Sequence, residues 1–329
     1  MDVLGKSFDY KFSGDNTNDF SLSFYKGKLD YQQLENDQTI KNILVQSDEF
    51  SGSFKSSKID IKFIQGEVLW DSDKSQFIAL SKQGKIIENE KISLTQNAYF
   101  RLLTENHIFS GSKIDINYLT GYIHVRKNGK IYFINDDKDY FYKDIRNIDY
   151  NIIELFGEGE DISYNWGNGE VELKNRAYIT SKKMLYPLTA AKIHLFFDLS
   201  KTIEVYSGNI LISDTENYSF GKGTIEQWSS FQGTGFIFKA GKISLRSDFF
   251  NLTDKKILIE GNIYFKDPEG KIKIWSKKGE VEYLEKNIIF LMDNKVKKEK
   301  EYITPVRFMY NLKNKGYYEY NDPTWIKRY

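Results

Sequence analysis

The sequence contains no cysteine among its 329 residues and only 4 prolines. The absence of cysteine excludes disulfide bonds, cysteine-ligated zinc and thiol nucleophiles. No apolar run reaches the roughly 18 residues that a membrane-spanning helix needs. The scarcity of proline, which cannot donate a hydrogen bond within a sheet, is compatible with extended strand structure.

The chain also lacks an excess of either charge, with 47 basic and 46 acidic residues. A nucleic-acid-binding protein usually shows a basic excess or a basic stripe, so no nucleic-acid partner is expected. The one dense basic run is Lys295-Val296-Lys297-Lys298-Glu299-Lys300. We interpret this run as a solvated turn in preference to a phosphate or anionic-lipid contact.

Aromatic residues are abundant, with 24 Phe, 23 Tyr and 5 Trp, and isoleucine is frequent. These residue types favour strands over helices, so the composition indicates an all-β protein. Apolar residues also alternate with polar ones, as in Lys58 to Phe63 and in Lys113 to Tyr118. This period of two is typical of a sheet with one buried face and one solvated face.

Two of these segments are near-copies of each other. Ser57-Lys58-Ile59-Asp60-Ile61 matches Ser112-Lys113-Ile114-Asp115-Ile116, 55 positions later. A looser pair, Lys192 to Leu195 and Lys242 to Leu245, precedes Gly208 and Gly261, which lie 53 positions apart. A steady period predicts stacked β units, and the Gly-Asn pairs at 208–209 and 261–262 are expected to be strand corners.

One central segment departs from this alternation. Apolar residues from Phe141 to Leu155 recur at spacings of three and four, which indicates a short helix, although the aromatic and β-branched content favours a strand. The segment lies where the close repeats give way to looser ones. We therefore predict two modules, residues 1–150 and 151–329, with an approximate boundary.

The sequence offers no convincing catalytic or metal-binding constellation. The three histidines are far apart, and none lies at ligand spacing from a carboxylate. The Gly-x-Gly stretches lack the third glycine of a dinucleotide fingerprint, and no nucleophile elbow is present. We expect a protein that is not an enzyme and that needs no cofactor or metal.

The segments "KKILIEGNIYFKDPEGKIKIWSKKGEVEYLEKN" and "KTIEVYSGNILISDTENYSFGKGTIEQWSSF" resemble the OstA-like repeats of the lipopolysaccharide transport periplasmic proteins. The resemblance covers residues 50–130 and 185–295. It implies an elongated, twisted open β-jellyroll, or β-taco, built from stacked repeats. It also implies lipid acyl chains held between two facing sheets, and end-to-end strand pairing with other β-jellyroll transport proteins or in a homo-oligomer.

The resemblance further implies a periplasmic location. The amino-terminal stretch has no apolar run of signal-peptide length, so we expect either a leader removed from the mature protein or a cytoplasmic location. The length of the chain, compared with single-module members, suggests two fused modules.

The expected function is non-enzymatic binding and passage of lipopolysaccharide or a similar glycolipid through an apolar groove. An acyl chain gains roughly 0.8 kcal/mol per buried methylene in such a groove. The candidate groove residues are those expected to point inwards from the strands: Ile59, Ile61, Phe63, Ile114, Ile116, Tyr118, Ile193, Leu195, Phe197, Ile243, Leu245, Ile259 and Ile263.

Two alternatives remain open from the sequence. Exposed aromatic rings can stack on sugars, so the chain could be a carbohydrate-binding or adhesion module. Its candidate residues would be the five tryptophans, Trp70, Trp166, Trp228, Trp275 and Trp325. The chain could also be a structural β-solenoid scaffold that assembles through its open strand edges.

Overall fold

A computed structural model describes the backbone of residues 2–12, 20–35, 38–55, 58–72, 75–87, 91–103, 107–117, 119–134, 153–197, 201–227, 229–320 and 325–328. These residues form strands and turns and contain no helix, which confirms the all-β prediction. None of their segments is a helix that could cross a membrane. The predicted helix from Phe141 falls mostly outside the described residues. From Ile153 onwards the chain is a strand, so Leu155 does not end a helix.

The chain divides into two compact units, unit 1 from Met1 to Asn175 and unit 2 from Arg176 to Tyr329. The boundary lies inside strand β10 (Glu170–Ser181), at two adjacent residues with left-handed backbone, Asn175 and Arg176. The other strands of unit 1 are β1 Asp2–Phe12, β2 Phe20–Glu35, β3 Gln38–Lys55, β4 Lys58–Ser72, β5 Ser75–Ile87, β6 Lys91–Leu102, β7 His107–Asn117, β8 Tyr122–Ile134 and β9 Ile153–Asn165.

Unit 2 contains thirteen further strands among its described residues. They are β11 Leu188–Phe196, β12 Ile203–Ile210, β13 Asn217–Glu226, β14 Ser230–Ala240, β15 Ile243–Leu252, β16 Ile257–Asp267, β17 Ile272–Glu282, β18 Asn287–Met292, β19 Lys295–Lys298, β20 Glu301–Ile303, β21 Arg307–Asn311, β22 Tyr317–Tyr320 and β23 Trp325–Arg328. In both units the strands pair antiparallel in an open sheet, mostly with their neighbours in the chain. At the end of unit 2, β17 pairs with both β18 and β19, and β18 pairs with β21.

The strands are bent near their middles, and the bends follow a simple rule. In unit 1, even-numbered strands carry residues with positive φ at the bend, namely Lys26, Gln65, Gln96 with Asn97, and Lys127 with Asn128. The described residues of β3, β5, β7 and β9 contain none. Unit 2 continues the pattern with Ser207 in β12, Gly235 in β14 and Gly261 in β16.

Each bend folds a strand into two arms that face each other. In unit 1 the rings of Phe109 and Tyr164 lie 5.4 Å apart. Phe109 pairs with Ile131 of β8, which pairs with Gly157 of β9. Gly157 precedes Tyr164 by seven positions, so on a straight strand Tyr164 would lie roughly 23 Å from Gly157. The sheet must therefore fold back on itself. Arm A of unit 1 contains Phe109, and arm B contains Tyr164.

Unit 2 folds in the same way. The rings of Phe265 and Tyr310 lie 4.9 Å apart. Tyr310 pairs with Ile288, which pairs with Val281, which in turn pairs with Ile257 of β16. Ile257 precedes Phe265 by eight positions, so this sheet must also fold back on itself. In unit 2, arm A contains Ile257 and Tyr310, and arm B contains Phe265.

Glycines near the bends make room for phenylalanine rings on neighbouring strands. Gly208 lies directly opposite Phe220, and a Cβ on Gly208 would approach the Phe220 ring to 2.5 Å. Gly233 lies opposite Phe250. A Cβ on Gly233 would lie 2.6 Å from the Phe250 ring and 2.3 Å from a backbone carbonyl oxygen. Two large side chains on adjacent strands do not fit inside a sharp bend, and glycine relieves the crowding.

The two Gly-Asn pairs differ in their geometry. At Gly261 φ is +94° and the pairing register shifts between Glu260 and Ile263, so the strand corner predicted here is a β-bulge. Asp248 fixes the bulge by accepting hydrogen bonds from the Asn262 backbone nitrogen at 3.0 Å and its side-chain nitrogen at 2.7 Å. At the earlier pair the left-handed residue is Ser207 rather than Gly208.

The 55-residue sequence repeat is not the structural repeat. Ile61 and Ile116 do lie in one row across arm B. However, three antiparallel pairings separate β4 from β7, so the two strands run in opposite directions. In unit 2, Ile193 lies in arm A and Leu245 in arm B, so these two matching motifs are not equivalent either. The structure supports a repeat-like sheet whose unit is a bent pair of strands.

Candidate functional site

The space between the arms is the candidate site, because most predicted groove residues point into it. The side chains with 7% exposure or less are Ile59, Ile61, Phe63, Ile114, Ile116, Ile193, Leu195, Ile243, Leu245, Ile259 and Ile263. Phe197 is half-buried just after β11, and Tyr118 lies outside the described residues. The structure thus places eleven of the thirteen inside, in two separate units.

In unit 1 the inner face of arm B is lined by rows of aliphatic side chains. One row runs in register across five strands, and it consists of Ile61, Ile86, Ile92, Ile116 and Ile123. The next row contains Phe63, Gly84, Leu94, Ile114 and Val125. Cross-strand pairs of this kind stabilise a sheet, and together they form a continuous apolar surface.

Aromatic side chains join the rims of the two arms in unit 1, on the side away from the bends. Tyr31 of arm A and Phe54 of arm B have ring centroids 4.8 Å apart, and Phe20 stacks on Phe54 at 4.7 Å. Further along, Tyr164 contacts His107 at 5.3 Å. The interior of unit 1 is therefore closed at its rim by side-chain packing, and side chains fill it.

His107 is the one histidine inside the candidate site. Its ring is 8% exposed and meets Phe133 edge-on at 4.5 Å. Burial lowers the pKa of His107 to about 3, because the charged ring would lose its hydration. The imidazole is therefore neutral at physiological pH.

The rim of unit 2 is polar as well as aromatic. Lys286 on the arm A side donates to Glu216 on the arm B side, with Nζ to Oε2 at 2.7 Å. The Tyr218 hydroxyl donates to the same carboxylate oxygen at 2.6 Å. Burial first, and then this hydrogen bond to Glu216, raise the pKa of Tyr218, so the phenol stays protonated.

A second polar contact between the arms is fully buried. The Tyr310 hydroxyl donates to Asp267 Oδ2 at 2.6 Å, and Asp267 Oδ1 accepts from the Glu269 backbone nitrogen at 3.0 Å. Asp267 is only 1% exposed. Burial and the Asp267 carboxylate raise the pKa of Tyr310. The phenol thus satisfies a carboxylate that has little access to water.

Replacing Tyr310 by Phe is expected to lower the free energy of unfolding of unit 2 by about 2 kcal/mol, the typical contribution of a hydrogen bond to a charged group. Urea unfolding measures this loss. The matched control is Tyr302→Phe, at a residue that is 54% exposed, where we expect a change within about 0.5 kcal/mol. Equal effects at the two sites would contradict the assigned role of the Tyr310 hydroxyl.

The tryptophans whose side chains the structure describes differ in exposure. Trp70 is 3% exposed and belongs to the core of unit 1, and Trp166 is half-buried beside Gly121. Trp275 is 36% exposed on the outer face of arm B in unit 2. Trp228 and the side chain of Trp325 lie outside the described residues. Burial removes Trp70 from any sugar-stacking surface.

The basic run that begins at Lys295 is mostly a strand, and only its last two residues, Glu299 and Lys300, form the exposed turn expected from its charge. Strand β19 covers Lys295–Lys298, and Val296 within it is 1% exposed. Lys295 and Lys297 consequently point outwards on the same face. Sequence reasoning missed this face because the side chains that lie beside these lysines come from five other strands, β14, β15, β16, β17 and β20.

The described residues contain no group of three or more side chains suited to a metal ion. The geometry defines the class of the chain: an all-β protein of bent antiparallel hairpins with an apolar, side-chain-filled interior between the arms of each unit. Neither a protein-family model nor a curated protein matches this chain.

Proposed function

We propose that the protein binds an amphipathic glycolipid, of the lipopolysaccharide type, with its acyl chains between the arms, and passes it on without catalysis. The observation that carries the proposal is the set of continuous inner rows, in which Ile61, Ile92 and Ile116 lie in register. Such rows offer an acyl chain an apolar surface across five strands of unit 1, at roughly 0.8 kcal/mol per buried methylene.

The way the arms are held together supports this proposal. Backbone ladders join neighbouring strands, whereas the contacts described above between the rims are made by side chains, such as Tyr31 with Phe54 and Lys286 with Glu216. Separating the rims therefore breaks ring packing and ion pairs but leaves the ladders intact. Because side chains fill the interior, lipid entry requires this separation.

The resemblance to the OstA-like proteins is consistent with a periplasmic carrier that hands lipid to a similar protein. Terminal strands would provide the contact, with β1 paired to β2 on one edge and β23 paired to β22 on the other. Edge strands pair readily with strands of other chains. The proposed partners are other proteins of this fold or a second copy of this chain.

Cross-linking the two rims to each other tests the proposal. Because the chain has no native cysteine, only the introduced cysteines react with the cross-linker. The variant carries cysteine pairs at 31 and 54 in unit 1 and at 216 and 286 in unit 2, joined by a short bis-maleimide. Purified lipopolysaccharide is then offered, and complexes are counted by native mass spectrometry. We expect binding before cross-linking and its loss afterwards.

The control carries cysteine pairs on neighbouring strands of a single arm, at 51 and 62 and at 226 and 230. Cross-linking these pairs should leave lipid binding unchanged, since the rims remain free to separate. The proposal fails if the rim-locked protein binds as much lipopolysaccharide as the control, or if the unmodified protein binds none.

A further inference from the structure

The outer face of arm B in unit 2 carries two rows of side chains that run in register across the sheet. The first row consists of Lys239, Ser244, Lys266, Lys273, Lys297 and Tyr302. The second row consists of Ile237, Arg246, Tyr264, Trp275 and Lys295. We call the two rows together the basic face.

Six cations lie on the basic face, and neither row contains a carboxylate. Lys266, Lys273 and Lys297 stand directly opposite one another on three neighbouring strands. Like charges in such positions destabilise a sheet. The repulsion between these lysines is locally unfavourable for stability, and such unfavourable arrangements are expected at functional sites.

Three carboxylates around the basic face are already engaged in ion pairs. Glu269 pairs with Lys242 at 3.3 Å, and Glu299 pairs with Lys271 at 3.2 Å, both at the turns. At the bend, Asp293 pairs with Lys277 at 3.3 Å. In the described part of the chain, none of the six cations has a carboxylate within 4.0 Å. The face therefore presents uncompensated positive charge.

Apolar and aromatic surface lies among these cations. Ile237 is 39% exposed, Trp275 is 36% exposed and Tyr302 is 54% exposed. Lys295 and Lys297 lie over the Tyr302 ring at 4.9 and 5.2 Å, and Arg246 lies over Tyr264 at 5.2 Å. Tryptophan and tyrosine beside lysine and arginine are typical of surfaces that contact the head-group region of a bilayer.

We propose that the basic face docks unit 2 onto an anionic lipid membrane. The charge is spread over two rows and five strands, which matches a charged plane. A single polyanionic strand would be followed by one stripe of cations. From β14 to β20 the two rows offer no carboxylate or amide to accept hydrogen bonds from sugar hydroxyls, since the amides in register with them, Asn217 and Asn209, lie beyond this span on β13 and β12. The cationic part of the face therefore disfavours a neutral glycan.

This inference does not rest on lipid binding between the arms. A membrane-docked carrier would take its cargo directly from a bilayer, so the two proposals are compatible. They fail separately, because the rim-locked protein should still bind vesicles through its outer face.

Vesicle sedimentation tests the docking. The probes are vesicles of phosphatidylcholine alone and vesicles that also contain phosphatidylglycerol. We expect the full chain to bind the anionic vesicles selectively and to be released as salt is raised. The variant Lys266→Glu with Lys273→Glu should lose at least about tenfold in binding, since each removed cation weakens attraction to the anionic surface.

The matched control is Lys255→Glu with Lys313→Glu, which makes the same charge change at exposed turns of unit 2. It should bind like the unmodified chain, and circular dichroism should show that both variants keep their strands. A second readout is the blue shift of Trp275 emission on anionic vesicles, taken as the difference from Trp275→Phe. Equal losses in variant and control would overturn the proposal, as would tighter binding of a soluble polyanion than of vesicles.

Discussion

Replacing Asn294 by aspartate is expected to lower the free energy of unfolding of unit 2 by about 3 kcal/mol or more at neutral pH. Asn294 is 4% exposed and lies between β18 and β19, which together form one bent strand. Its Nδ2 donates to the carbonyl oxygens of Phe290 at 3.1 Å, Pro305 at 3.2 Å and Val306 at 2.9 Å.

These contacts tie the bend between β18 and β19 to the neighbouring bend between β20 and β21. An aspartate of the same shape would direct a carboxylate at three carbonyl oxygens, away from water. The carboxylate would resist ionisation, so its pKa in the folded state would rise above that in the unfolded state. Stability should therefore fall as pH rises above about 4, the ordinary range of aspartate.

The control for this prediction is Asn294→Ala. Alanine also leaves the carbonyl oxygens without their donor, but it adds no charge, so its destabilisation should not vary with pH over the same interval. Urea unfolding at about pH 5 and about pH 8 separates the two variants. A pH-independent loss in Asn294→Asp would show that the carboxylate escapes to solvent, contrary to the geometry.

Acidification should destabilise unit 1 through His107. Its folded-state pKa of about 3 lies below the ordinary value of 6.5, so the unfolded chain binds the proton more tightly. Stability is therefore lost as pH falls through about 6.5, and the loss continues until about 3. At about pH 4.5 this single group should cost roughly 3 kcal/mol relative to pH 8.

The variant His107→Phe should avoid that loss, because phenylalanine fits the same aromatic contacts with Phe133 and Tyr164 and does not titrate. The measurement is urea unfolding of both proteins at about pH 8 and about pH 4.5. Both proteins carry the same carboxylates, so the contribution of carboxylate protonation cancels in the difference between them. His194→Phe, at a half-buried histidine of unit 2, serves as the control. If His107→Phe loses as much stability on acidification as the unmodified chain, the buried ring is not the cause.

Much of the inner surface could be predicted from the sequence. The alternation at Ile59, Ile61 and Phe63 predicts burial directly, because side chains on a strand point to opposite faces in turn. The same reasoning identified Ile114 and Ile116. It needed no knowledge of which strand pairs with which, so it worked in both units.

The bends and the outer surface could not be predicted in this way. Gln65 and Gln96 adopt left-handed backbone although neither is a residue type that favours it, since the fold of the arms imposes the conformation. The basic face depends on register, which brings Lys239 and Lys297 into one row although they lie far apart in the chain. Trp70 and Trp275 look alike in sequence, and only the pairing pattern shows that one is buried and the other exposed.

The alternation of left-handed bends bears on how such a chain can change its length during evolution. In unit 1 the bends at Gln65, Gln96 and Lys127 are 31 residues apart. Loss of a single strand would reverse the direction of every later strand and place two bends of the same kind side by side. Insertions and deletions are therefore expected to be tolerated in whole hairpins of about thirty residues, so that homologues would differ in size by discrete steps.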